Sequence, residues 1–257
     1  MKKRAGAFVI CLFLMVAFAI IYIFSELYNE NDVKPVEPII SDATKFKEEY
    51  ESINNSKITN NGVEYTFRSL TISDDNPFVY ATEDEILKKI DNKESFIVYF
   101  GFAECPWCRS IIESVIEEAK NNNIEKIYYV NLTGIRDVYV LDNDTKEPVL
   151  SEQGTEGYMK LLTAFDNILD EYTLSYTNKK NKTIKVKVGE KRIMAPTFIF
   201  VREGNATLKS TAIPASLKDP YQELDDGIKC EIREQISCLF DQLKKDSLTC
   251  SIEEKQC

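Results

Sequence analysis

The sequence predicts an α/β fold with an insertion in its second half and an N-terminal transmembrane helix, and three observations carry that expectation. An apolar run at 95–103 passes directly into an amphipathic stretch at 109–120, with Cys105-Pro106-Trp107-Cys108 at the junction. Apolar strand patterns return at 126–132 and, behind a proline, at 197–201, as expected when strands alternate with helices. At the other end of the chain, residues 5–24 are apolar throughout and follow Met1-Lys2-Lys3-Arg4.

The run at 5–24 has the length of one membrane-spanning helix, and its basic flank should stay in the cytoplasm. The rest of the chain is then exported, giving a single-pass protein of the cell membrane that meets the lipid bilayer through this helix. A cleaved signal peptide is the chief alternative, but no small-x-small pattern follows the run. Cys11 reads as a small apolar residue within it. Residues 25–41, with Pro35 and Pro38, read as a tether. The main domain is expected at 42–246, with an insertion at about 133–190 and a disulfide-linked tail at 247–257. A formal charge of -10 argues against nucleic acid or anionic lipid as a partner.

Within the domain, 45–53 reads as a short helix and 63–72 alternates like a half-buried strand. Thr82-Glu83-Asp84-Glu85 has the spacing of a capping box ahead of Ile86, Leu87 and Ile90, so a helix should begin there. The central unit follows: strand 95–103, helix 105–121, strand 126–132. The insertion carries a helical pattern at 155–171 and a hairpin pairing 173–177 with 183–188 through residues 178–181. A second hairpin joins 198–201 to 207–213 through Gly204-Asn205. The last helix, 228–243, turns Ile228, Ile232, Ile236, Leu239 and Leu243 to one face. Asn-x-Ser/Thr triplets at Asn54, Asn131, Asn143, Asn181 and Asn205 are read as chance in an asparagine-rich chain.

Two cysteines in the first turn of a helix that follows a strand make a redox site. Unpaired backbone N–H groups and the positive end of the helix dipole favour a thiolate at Cys105, the expected nucleophile, while Cys108 closes the disulfide. Pro106 suits the first helical position, where its missing N–H costs nothing. The competing reading, half of a zinc site, needs a second Cys-x-x-Cys or a histidine pair, and the chain has no histidine and no second such motif. No metal or cofactor is therefore expected. Nearby charges act on the thiol in opposite senses: Glu104 should raise its pKa and Arg109 should lower it.

This arrangement resembles the thioredoxin superfamily, and a second motif, Arg192-Ile193-Met194-Ala195-Pro196 ahead of the strand 197–201, supports the likeness. The resemblance implies a thioredoxin-like fold with the insertion placed before the cis-proline strand. It implies that Pro196 is cis and stands against the two sulfurs, and that Ala195 and its neighbours Met194 and Trp107 receive the substrate backbone. Thioredoxins carry a buried carboxylate six residues before the first cysteine. This chain has Tyr99 there, so the motif supplies no evident proton acceptor for Cys108. The likeness looks closest to membrane-tethered bacterial thioredoxin-like proteins, including those grouped as bacteriocin-transport accessory proteins.

Cys230, Cys238, Cys250 and Cys257, even in number and at the end of an exported chain, point to structural disulfides. Cys230 and Cys238 lie eight residues apart, about 12 Å along a helix, too far to bond each other. Nested bridges Cys230–Cys257 and Cys238–Cys250 would join two antiparallel segments. Crossed bridges, or a relay to Cys105–Cys108, are the alternatives. The expected function is an extracytoplasmic thiol–disulfide oxidoreductase that acts on cysteines of exported proteins and exchanges electrons with a redox partner protein. The alternative is a redox-silent binding module that holds an exported partner through the insertion.

Overall fold

The computed structural model describes residues 16–24, 40–60 and 62–244. Residues 16–24 are helical with exposed apolar side chains. Among the described residues no helix is long and apolar enough to cross a membrane. Residues 5–15 of the expected span, 25–39 of the tether and the tail from 245 onwards lie outside the described residues.

From residue 41 the chain is a mixed α/β unit. Its helices are α1 (Asp42–Glu51), α2 (Glu83–Asp91), α3 (Pro106–Asn121), α4 (Glu156–Ala164) and α5 (Asp226–Lys244). Its strands are β1 (Lys57–Asn60), β2 (Val63–Thr66), β3 (Phe78–Tyr80), β4 (Phe96–Gly101), β5 (Ile127–Asn131), β6 (Val138–Leu141), β7 (Pro148–Glu152), β8 (Glu171–Thr177), β9 (Thr183–Lys191), β10 (Thr197–Arg202) and β11 (Asn205–Ser210). Five strands form one mixed sheet in the order β11-β10-β4-β5-β3, with β3, β5 and β4 parallel and β10 and β11 antiparallel. The other six make separate two-stranded hairpins, β1-β2, β6-β7 and β8-β9.

Every residue of β4 is buried because both faces of the sheet are covered. Ile97 and Tyr99 enter one core with Phe46 and Tyr50 of α1, Ile111, Ile112 and Val115 of α3, and Ile232, Ile236 and Phe240 of α5. Phe96, Val98 and Phe100 enter a second core with Ile86 of α2 and Tyr158 and Leu161 of α4. A strand covered on both sides reads as a continuous apolar run rather than an alternating one, which is the pattern of 95–103.

The capping box forms as expected: Thr82 Oγ1 accepts from the Glu85 N–H, and the Glu85 carboxylate accepts the Thr82 N–H at 2.8 Å. Four expectations need correction. The first helix starts at Asp42 rather than 45, because Ser41 caps it by accepting the Thr44 N–H. The alternating stretch 63–72 is a strand only to Thr66; beyond it, side chains take the backbone donors, Asn54 Oδ1 from Leu70 N, Glu113 Oε1 from Thr71 N and Glu51 Oε1 from Ile72 N. The helical pattern at 155–171 ends at Ala164, and β8 begins at Glu171. Leu243, placed on the apolar face of the last helix, is 39 % exposed, whereas Ile228, Ile232, Ile236 and Leu239 are buried. The edge strand β3, the partner strand β1 of β2 and the hairpin β6-β7 are additions that the sequence pattern did not suggest.

Candidate redox site

The chain leaves β4 at Gly101, passes Phe102–Glu104 and enters α3 with Cys105 as its N-cap and Pro106 in the first turn. Capping is normally done by a side-chain oxygen; here the Cys105 sulfur accepts the Cys108 N–H at 3.2 Å. Cys105 and Cys108 are both free thiols, and both are buried, Cys105 at 4 % exposure and Cys108 completely. Cys105 is thus the outer of the two sulfurs.

The two thiols are driven apart in acidity. The Cys108 thiol, donating to the Cys105 sulfur, is the largest influence holding Cys105 below the ordinary thiol range. Burial opposes it, and the backbone N–H groups of Cys108 and Trp107 together with the charge of Arg136 add to it. Burial pushes Cys108 well up, the neighbouring Cys105 sulfur adds to the rise, and the Tyr99 hydroxyl and the Phe102 backbone pull the other way. Such a split is one in which an outer cysteine can act as nucleophile and an inner one as its resolving partner.

The loop before β10 closes the site. The Ala195–Pro196 peptide is cis, and the Ala195 carbonyl lies 3.6 Å from Cys105 Sγ, within reach of its thiol hydrogen. Pro196 is buried, Ala195 half-buried, and Met194 is 49 % exposed beside them. Trp107 is half-buried against the core that holds both cysteines. The structure therefore brings Cys105, Cys108, Trp107, Ala195 and Pro196 to one place, with Met194 on the adjoining surface.

The chain matches no family model, no curated protein and no solved structure. The site must be understood from its own geometry.

Arg109, expected to lower the thiol pKa, is not among the largest influences on Cys105. Its guanidinium is buried and turned away into backbone carbonyls, donating to Tyr50 O at 2.7 Å, to Arg68 O at 2.6 and 3.1 Å and to Ala103 O at 3.3 Å, and it also reaches Asn54 Oδ1 at 2.7 Å. The cation that faces Cys105 is Arg136, from the insertion, which also lies 5.3 Å over the Phe102 ring. Glu104 is exposed and is not among the largest influences on Cys105. No sequence signal marked Arg136, because the contact depends on how the insertion folds back.

Beneath the cysteines lies an aromatic layer. Tyr99 is fully buried, stacked on Phe198 at 4.5 Å and on Tyr129 at 5.5 Å, with its hydroxyl 2.9 Å from that of Tyr50. Glu49 accepts from Tyr129 Oη at 2.7 Å, from Asn131 Nδ2 at 3.0 Å and from Tyr80 Oη. No group of three or more Asp, Glu, Cys or His among the described residues could hold a metal ion.

Cys230 and Cys238 are both disulfide-bonded, as the even cysteine count implied. Eight residues of α5 separate them, so the bonds do not join them to each other. The pairing of Cys250 and Cys257 lies outside the described residues.

Proposed function

We propose that the protein is a thiol–disulfide oxidoreductase of thioredoxin-like fold that acts on protein cysteines through Cys105 and Cys108. The observation that carries this reading is the Cys105 sulfur, held at a helix N-terminus within reach of the carbonyl that precedes a cis proline. The five-stranded sheet covered on both faces, with the two parallel strands β4 and β5 beside the antiparallel β10, supports the fold, and the hairpins of residues 133–190 account for the insertion before the proline strand.

In the reaction, the Cys105 thiolate attacks one sulfur of a substrate disulfide and the other substrate sulfur leaves as a thiolate. Cys108 then attacks Cys105, forming the internal disulfide and releasing the second substrate thiol. Run backwards, the same steps oxidise a substrate dithiol. The exposed Met194 and the half-buried Trp107 flank the sulfur, and the extended backbone of a substrate segment fits against the Ala195 loop. The basic-flanked apolar run at 5–24 supports an exported domain on a membrane anchor.

Trapping and alkylation test the reading together. Cys108→Ser should accumulate mixed disulfides with client proteins and Cys105→Ser should trap none. Because the Cys105 pKa is lowered, its thiolate persists below the pH at which ordinary thiols, titrating near about 8.5, are protonated. Iodoacetamide should accordingly modify Cys105, and not Cys108, at mildly acidic pH. Equal trapping by both variants, or no alkylation of Cys105 there, overturns the assignment.

A further inference from the structure

Tyr99 stands on β4 with its side chain on the face that carries Ile97 and looks toward α3. Two residues on, Gly101 occupies the same face, and a Cβ there would lie 2.2 Å from the Tyr99 hydroxyl oxygen. A glycine at 101 is what lets the phenol extend along its own strand toward the first turn of α3. Held there between Phe198 and Tyr129, the hydroxyl lies 2.9 Å from Tyr50 Oη, in the same buried core as the Cys108 sulfur, whose acidity it favours.

From this geometry we infer that Tyr99 is the positioning residue of the resolving step, donating its hydroxyl hydrogen to Cys108 as that sulfur becomes a thiolate, with Tyr50 donating to Tyr99 behind it. The inference rests on the reading of Cys105 and Cys108 as an exchanging pair. In the resolving step the Cys105–Cys108 bond forms as the Cys105–substrate bond breaks, and the proton given up by Cys108 is balanced by the one taken up by the departing substrate sulfur. The fully buried inner sulfur needs groups beyond the Phe102 backbone to stabilise its charge in the interval, since solvent does not reach it.

Tyr99 meets that need as a donor and not as a base. Burial raises both the Tyr99 and Tyr50 hydroxyls well above the ordinary phenol range, so both are protonated near neutral pH. Two donors pointing in sequence toward one sulfur polarise each other, which strengthens the last hydrogen bond. A carboxylate at this position would remove a proton and add a titration of its own. A tyrosine adds none, so the rate of resolution should follow a single ionisation, that of Cys108.

The two steps separate when the reduced protein reacts with 5,5′-dithiobis(2-nitrobenzoate): Cys105 releases the first nitrothiolate on attack, and Cys108 releases the second on resolution. Tyr99→Phe keeps the ring and its stacking. It should leave the first release near the wild-type rate, slow the second on the order of tenfold, equivalent to about 1.4 kcal/mol, and move its pH midpoint upward. Tyr50→Phe, which removes only the second donor, should slow the second release less and shift the midpoint in the same sense. The first release serves as the control for folding in both variants. A second release as fast as wild type in Tyr99→Phe at every pH overturns the role of Tyr99 and leaves the exchanging pair intact. A wild-type protein that releases only one nitrothiolate overturns the exchanging pair itself.

Discussion

Strand β4 and the hairpin β8-β9 are both extended chain, yet they are held by opposite means. β4 is buried at every position and pairs with strands on both sides. β8 alternates between exposed and half-buried residues, pairs only with β9, and no residue of it is fully buried. The strand that leads into Cys105 is thus fixed on both faces and both edges. A hairpin outside the main sheet can vary in length and charge without disturbing it. Cys105 draws on both regions, because β4 and α3 fix its position while Arg136 of the insertion contributes charge beside it.

The contrast breaks most sharply at Arg109. Arg109→Leu should leave the carbonyls of Tyr50, Arg68 and Ala103 without their side-chain donor, and Asn54 Oδ1 with the Leu70 N–H alone. At about 1–3 kcal/mol for each buried acceptor left unpaired, a loss of at least about 3 kcal/mol is expected, read as a lower guanidinium chloride midpoint. A smaller loss, of about 1–3 kcal/mol, is expected for Gly101→Ala, whose new methyl overlaps the Tyr99 hydroxyl. This variant should also slow the second nitrothiolate release, because the phenol must swing off Cys108; an unchanged release would show that the ring has room to move. The smallest effect belongs to the hairpin. Thr173 and Lys187 are paired neighbours, so replacing residues 174–186 with Asn-Gly closes the ladder on a two-residue turn. Stability should change by no more than about 0.5 kcal/mol and reaction with small disulfides should persist, while a change in the set of trapped client proteins would give the insertion a part in selection.

The regions also differ in how far their sequences declare them. The β4 run, the Cys105–Cys108 turn and α3 were legible because burial on both faces, a proline at N1 and two cysteines at helix spacing each leave a local mark. The β8-β9 hairpin was legible through its alternation and the turn at 178–181. β3 was not: its three residues acquire strand geometry only by pairing with β5, nearly fifty residues away. Nor was the segment after Thr66, whose alternation imitates a strand although its N–H groups go to the side chains of Glu51, Asn54 and Glu113. At the site, Tyr99 was visible as an unexpected residue, but its use required Gly101 and Tyr50, which only the fold brings to it. Arg109 shows the converse, since adjacency to Cys108 in sequence suggested an electrostatic role, whereas the fold turns its guanidinium into backbone carbonyls.

That same guanidinium ties together stretches of chain that are distant in sequence: the end of α1, the irregular segment around Arg68 and the bend ahead of Cys105. None can move away from the others without stranding several hydrogen bonds around one buried cation. They should therefore open to solvent as one cooperative unit, and amide hydrogen exchange should show the segment around Arg68, despite its lack of strand or helix, sharing the slow exchange of α3.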